Sequence, residues 1–318
     1  MQKKKHHKSL LAFIISVSVA AAVLAAILIT DIFIPIKYLS VYVGISTDKP
    51  QSGELRISFI DVGNGDSTLV EFPDGKVALI DGGNGSKNNQ LKIFKKLNGS
   101  EINKIDYLIC TSPDAARCGG LAEIVKYKTA DKIYAPICNN AEATQAYRDF
   151  RLKVKNKNQY INQLSYGTIA ANEEYGYCFL ILNSKKGLPD GEGVRSSAMW
   201  ISYGGINLLM LGDLTASELL YLTEEYSTVG FEIDGHSINL NQCNIVKVAR
   251  GGKESGKCAQ FYDLIQAETA IISTGSFPEI SVMSDITNFV GDNIYRTDIN
   301  GTLTLSISNG NYTVKKER

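Results

Sequence analysis

Phe59-Ile60-Asp61-Val62-Gly63-Asn64-Gly65-Asp66-Ser67 reads as a strand that ends in a glycine-bracketed turn and re-emerges as a second strand. Upstream, Leu55, Ile57 and Phe59 alternate with Arg56, Ser58 and Ile60, and downstream an apolar run covers 67–72. A Gly-x-Gly turn between two strands opens no helix, so it lacks the context that dinucleotide and P-loop readings require. Pro73-Asp74-Gly75 marks the next hairpin, leading into Val77-Ala78-Leu79-Ile80, a strand that stops at Asp81-Gly82-Gly83. Further along, 104–110 reads as a buried strand, 119–127 as a helix and 132–135 as a strand, which together make a β-α-β unit. Helices are predicted over 141–155 and 259–266. Strands are predicted over 178–182, 198–203, 207–211, 246–249, 269–273 and 302–306. Thr215 and Glu218 have the spacing of a capping box, with Leu219, Leu222 and Tyr226 on one face of the helix that follows. Strands with helices interspersed imply an α/β domain in layers, αββα, each sheet having one face covered by helices.

The 318 residues carry 33 Lys+Arg and 33 Asp+Glu, and 44% hydrophobic with 21% charged excludes a disordered chain. Four of the positive charges, Lys3, Lys4, Lys5 and Lys8, lie in the first eight residues, so the remainder is net acidic by four. That balance gives no support to nucleic acid as a partner beyond a local patch. From Ser9 through Thr30 no side chain is charged. A helix of that length spans roughly 30 Å of hydrocarbon. The sequence therefore predicts a basic cytoplasmic tail (1–8), a transmembrane anchor (9–36), a linker (37–53) and a domain over 54–318. A cleaved secretory signal shares the basic head and small residues, but its apolar region is usually shorter. With the lysines inside, the expectation is a single-pass cell-membrane protein whose C-terminal domain is extracytoplasmic. The membrane is thus an expected partner. Six cysteines, Cys110, Cys118, Cys138, Cys178, Cys243 and Cys258, show no zinc spacing, and their pairing cannot be read from sequence.

Four segments taken in order carry a resemblance: Phe59 to Ser67, Leu79-Ile80-Asp81-Gly82-Gly83, Leu208-Leu209-Met210-Leu211-Gly212-Asp213 and Tyr295-Arg296-Thr297-Asp298. Together they resemble the metallo-β-lactamase-fold hydrolase domain of ComEC-type DNA-uptake competence proteins. The resemblance implies a two-sheet αββα sandwich with a metal site on loops at one edge. In that family a T-H-x-H-x-D-H-x-G-G loop supplies metal ligands. The aligned residues are Thr111-Ser112-Pro113-Asp114-Ala115-Ala116-Arg117-Cys118-Gly119-Gly120. Ser112 and Asp114 stand where the first two histidines belong, Ala116 replaces the aspartate, and Arg117 replaces the third histidine. Asp213 matches the bridging carboxylate, and Asp81 matches a residue that supports the metal from behind. Where V-G-H-H-G-S is expected, Val248-Ala249-Arg250-Gly251-Gly252-Lys253 stands, with Arg250 in a histidine's place.

Each zinc of a hydrolytic site takes about three or more protein ligands. His236 is the only histidine after the proposed anchor. The residual pocket is therefore expected to hold Asp114, Arg117, Asp213, Arg250, Asp81 and Ser112 without a metal or other cofactor. Arginine stays protonated and grips carboxylates bidentately, so the arginines either neutralise the leftover aspartates or leave one guanidinium for an anionic ligand such as phosphate or a carboxylate. The function expected is a non-catalytic binding or scaffolding homologue. The alternative is a phosphodiesterase- or nuclease-like hydrolase with a noncanonical metal site around Asp213, linked to DNA uptake or processing.

Overall fold

A computed structural model describes residues 15–23, 25, 48–138, 143–182, 196–226, 231–253, 259–278 and 280–318. The chain divides into two units, Met1–Ser46 and Thr47–Arg318. In the first, 15–23 is helical and exposed. The rest of the anchor expected over 9–36 lies outside the described residues, save for residue 25. Among the described residues no helix is long and apolar enough to cross a membrane.

The second unit contains β1 (Leu55–Phe59), β2 (Thr68–Glu71), β3 (Val77–Ile80), α1 (Lys87–Gly99), β4 (Lys104–Ile109), α2 (Ala115–Cys118), α3 (Leu121–Tyr127), β5 (Thr129–Ala135), α4 (Gln145–Asn156) and β6 (Ile161–Gln163). It continues through β7 (Gly167–Asn172), β8 (Tyr177–Ile181), β9 (Met199–Tyr203), β10 (Ile206–Met210), α5 (Ala216–Tyr226), β11 (Phe231–Ile233), β12 (His236–Ile238) and β13 (Ile245–Lys247). Last come α6 (Ala259–Ile265), β14 (Thr269–Ile272), α7 (Ile280–Val290), β15 (Ile294–Arg296), α8 (Thr297–Asn300), β16 (Leu303–Ser308) and β17 (Asn311–Lys316). One sheet runs β17-β16-β1-β2-β3-β4-β5-β6, and the other runs β15-β14-β13-β10-β9-β8-β7. β11 and β12 form a separate ribbon.

Side-chain alternation builds the layers. On β8, Tyr177, Phe179 and Ile181 join a core with Ile57, Phe59, Val70 and Ile80 of the first sheet. Cys178, Leu180 and Leu182 face the other way, into a core with Leu219 and Leu222 of α5, Phe261 of α6 and Ile286 of α7. Both faces of β8 are covered, which is why its sequence is apolar throughout rather than alternating. Leu79 and Leu108 alternate with inter-sheet neighbours on β3 and β4 and are fully buried on the opposite face. The buried Ile93 and Phe94 of α1, Ile124 of α3 and Phe150 of α4 belong to neither of those two cores and supply the remaining helical layer. Each such side chain contributes about 1.5–3 kcal/mol by leaving water. The sandwich is thus αββα.

The expected capping box is formed. Thr215 N donates to Glu218 Oε2 at 2.6 Å, and Glu218 N donates to Thr215 Oγ1 at 3.3 Å. Some elements differ from expectation. The helix predicted over 119–127 forms as α3 from Leu121, divided at Gly119-Gly120 from α2, a short helix that was not expected, and the strand predicted over 246–249 gives way to a tight turn after Lys247. The division has a steric cause. A Cβ at Gly120 would lie 2.2 Å from the Gly82 carbonyl oxygen, and one at Gly119 would lie 2.4 Å from the Asn84 carbonyl carbon. The two glycines let the turn after β3 press directly on the backbone beside α2.

This packing positions the site. β3, β4, β5 and β6 are parallel, as are β10, β13, β14 and β15. The carboxyl ends of parallel strands are where open α/β sheets place their ligands.

Candidate functional site, a buried ion cluster beneath a cleft

The functional positions lie at strand ends or in the segments that follow them. Asp66 precedes β2, Asp81 follows β3, and Thr111 to Arg117 follow β4. Gly212 and Asp213 follow β10, Lys247 ends β13, and Ser273 and Thr274 follow β14. A cleft of about 230 Å³ opens over them, with Asn64, Asp114, Arg117, Asp213, Arg250 and Lys253 in its walls.

Arg117 organises the floor. Its Nη1 pairs with Asp66 Oδ2 and lies 3.6 Å from Asp81 Oδ2. Its Nη2 donates to the Gly212 carbonyl at 3.0 Å and to Asp213 Oδ1 at 3.3 Å. The backbone holds it there: Gly82 N donates to the Arg117 carbonyl at 2.7 Å, and Asp66 N to the Ala116 carbonyl at 3.2 Å. A second cation, Lys247, donates to the same Asp66 Oδ2. Arg117, Lys247, Asp66 and Asp81 are all buried, Asp81 being only 1% exposed. Arg117 is held firmly protonated: burial opposes its charge, but Asp66, Asp81 and Asp213 outweigh that effect. Burial alone would raise the Asp66 carboxyl, yet Lys247 and Arg117 hold it below the usual carboxylate range.

Asp81 sits at φ 62°, a left-handed conformation that aspartate tolerates better than most residues. Its carboxylate accepts from Thr111 N at 2.7 Å and from Thr111 Oγ1 at 2.6 Å. Burial pushes its pKa up to about 6 against the pull of Arg117, and the charge of Asp66 adds to the rise. A carboxyl whose folded pKa exceeds its unfolded value contributes stability that is complete below about pH 4 and lost as pH rises through about 6. Asp81→Asn is therefore expected to remove a decline of about 3 kcal/mol over that window. Urea unfolding of both proteins across pH 4–7 checks this. Parallel stability profiles would contradict it.

The sequence-selected residues come together, in different roles. Asp114 caps α2, accepting from Ala116 N at 2.7 Å, and Ser112 Oγ accepts from Asp114 N at 3.2 Å, so these two shape the turn that carries Arg117. Asp213 lies at the edge of the cluster, its side chain 30% exposed and its backbone N donating to Ser196 Oγ at 2.7 Å. Arg250 is exposed at the mouth, with a left-handed backbone at φ 52°. Its N–H donates to the Gly212 carbonyl, the group that Arg117 also grips from below. Lys253 reaches across to Asn64 Oδ1 at 2.8 Å. His236 lies on the β11–β12 ribbon and lines no part of the cleft.

Asp66 and Lys247 were not among the residues selected from sequence. A lysine inside Ile245-Val246-Lys247-Val248-Ala249 was itself a signal, because a buried ammonium demands an anionic partner. The fourth sequence segment also acquires a place. Thr297 Oγ1 accepts from Thr274 N at 2.9 Å and donates to the Thr274 carbonyl at 3.0 Å, fixing one wall of the cleft. Arg296 is paired to Asp298 at 2.6 Å and lies under the Phe277 ring.

A family model described as the metallo-beta-lactamase superfamily matches residues 60–243. The chain belongs to that superfamily. Among curated proteins it is similar to ComE operon protein 3 of Bacillus subtilis (strain 168), 22% identical over 283 residues that cover 81% of this chain and 34% of that protein. The chain thus spans about a third of the length of this relative. Among solved structures it is similar to a CmlA beta-hydroxylase mutant, with a TM-score of 0.50, 13% identity and coverage of 81% of this chain and 55% of that one. A diphosphatase of the PhnP family gives a TM-score of 0.46 at 14% identity, covering 82% of this chain and all of the other.

The superfamily implies metal, and metal needs lone-pair donors. Guanidinium and ammonium nitrogens offer hydrogens and no lone pair. Among the described residues no group of three His, Cys, Asp or Glu is placed to hold an ion. Two unit charges 4 Å apart repel by about 4 kcal/mol at an effective dielectric of 20, and a divalent ion doubles that against each of Arg117 and Lys247. Asp66 Oδ1 is buried without a hydrogen-bond partner among the described residues, but both cations already hold its sister oxygen. The residues present do not fit a hydrolytic metal centre.

Proposed function

We propose that this superfamily member is a membrane-anchored, extracytoplasmic and non-catalytic homologue of ComEC-type hydrolase domains, a binding module whose cleft receives an anionic ligand. The observation that carries the reading is Arg117, a permanent cation locked among Asp66, Asp81 and Asp213 where the family resemblance puts a ligand histidine. Its charge is taken up by the floor of the cleft. The exposed Arg250 and Lys253 at the mouth supply the attraction for an anion, and the ordered Thr274 wall supplies shape. The anchor rests on the uncharged run from Ser9 through Thr30 behind four lysines.

Inorganic phosphate titrated into the purified chain and followed by calorimetry tests the site. Saturable binding is expected, weakened about tenfold or more in Arg250→Ala, as for loss of a charge-assisted hydrogen bond. A phosphodiester offered to the same protein with added zinc or manganese is expected to remain intact. Turnover that disappears in Asp213→Ala would replace this reading with a hydrolase.

A further inference from the structure

Cys110 follows β4 and Cys118 ends α2, and both side chains are fully buried. The Cys110 thiol donates to the Ser112 carbonyl at 3.1 Å, and the Cys118 thiol to the Pro113 carbonyl at 3.6 Å. The two sulfurs therefore rest against consecutive carbonyls of one turn, and each side chain influences the ionisation of the other. Neither takes part in the ion cluster. The segment they bracket nonetheless contains Thr111, which clamps Asp81, Ser112 and Asp114, which shape and cap α2, and Arg117 itself.

We propose that Cys110 and Cys118 form a redox-modifiable dithiol, and that its oxidation to an intrachain disulfide fastens the turn that carries Arg117. The oxidant is a small-molecule or protein disulfide. The Cys118 thiolate attacks one sulfur of that disulfide and expels the other as a thiolate. Cys110, after losing its proton, attacks the Cys118 sulfur of the mixed disulfide and expels the second thiolate. Two protein thiols become one disulfide, and the oxidant leaves as two thiols carrying the protons. The order follows from the environments. The neighbouring Cys110 side chain lowers the Cys118 thiol, whereas burial pushes the Cys110 thiol well up, so Cys118 supplies the first nucleophile. Access requires a local opening of α2, a single turn whose Asp114 and Ala115 face solvent, with transient release of Arg117 from its carboxylate partners. Cys178 and Cys243 are packed into the core beneath α5 and α6 and serve as internal controls.

The full chain is equilibrated in glutathione buffers running from reducing to oxidising, quenched in acid, alkylated and digested with trypsin. Trypsin cuts after Arg117, between the two cysteines, so oxidation joins peptides 105–117 and 118–126. The expected result is this linked pair, lighter by two hydrogens than its reduced parts, replacing both alkylated peptides at the oxidising end. The pair should persist in Cys178→Ser and vanish in Cys118→Ser. In the oxidised chain, amide exchange over 111–118 should slow relative to the reduced chain. Free or glutathionylated cysteines across the whole series would overturn the proposal, as would a link from either cysteine to Cys138. A linked pair with unchanged exchange would overturn its hold on the Arg117 turn.

Discussion

Arg117→Ala is expected to destabilise the chain by about 3–5 kcal/mol, the usual effect of removing one partner from a buried ion pair. The cost is electrostatic rather than volumetric. Without the guanidinium, Asp81 retains Thr111 as its donor, and Asp66 retains Lys247 alone. The Gly212 carbonyl and Asp213 lose a shared donor as well. Carboxylates so deeply buried must then either stay charged with fewer partners or take up a proton on folding. Urea unfolding at neutral pH gives the number. Lys155→Ala, on an exposed position of α4, should change stability by no more than about 0.5 kcal/mol and sets the baseline. A loss below about 1 kcal/mol for Arg117→Ala would place it with ordinary surface pairs and contradict its role.

Lys247→Met should have an effect of similar size, about 3–5 kcal/mol, because it strips the other cation from Asp66 within a buried parallel strand. Asp66→Asn should also destabilise the chain, since it leaves both Arg117 and Lys247 facing a neutral amide. The double variant should recover part of the sum, with a coupling of about 0.5–3 kcal/mol. Because the pair is buried, the coupling should barely change between low salt and 1 M salt, where the screening length falls to about 3 Å. Strict additivity would mean that Asp66 and Lys247 do not act on each other.

The two residues also show where sequence reading stops. Asp81, Arg117 and Asp213 were legible because each occupies a landmark of a motif whose frame is intact. Asp66 sits in an equally clear landmark, yet its neighbours Gly63 and Gly65 drew the reading toward turn geometry and away from its carboxylate. Its partner is 181 residues away on the other sheet, a proximity that only the sandwich creates. Arg250, like Arg117, stands in a histidine's place but does not share its burial. The left-handed backbone at Arg250 and Gly251 turns the chain at the cleft mouth, and no pattern of residue types announces that turn. Layers were readable from apolar runs such as 178–182, where two covered faces erase the polar alternation. α1 was not, since Lys87-Asn88-Asn89-Gln90 opens it with polar residues, and Ser86 caps it without a strong apolar stripe. β17 was missed for a related reason: an edge strand rich in polar residues and ending in Lys315 and Lys316 looks like a tail, and lysines on an edge discourage further pairing.

In the function proposed above, the chain's own cations fill the place that the superfamily gives to metal. Elemental analysis of the purified chain, paired with its melting temperature before and after EDTA, tests this most directly. No stoichiometric zinc, manganese or iron is expected, and the melting temperature should not change. About one ion per chain, with a melting temperature that falls in EDTA and a site abolished by Asp213→Ala, would contradict it.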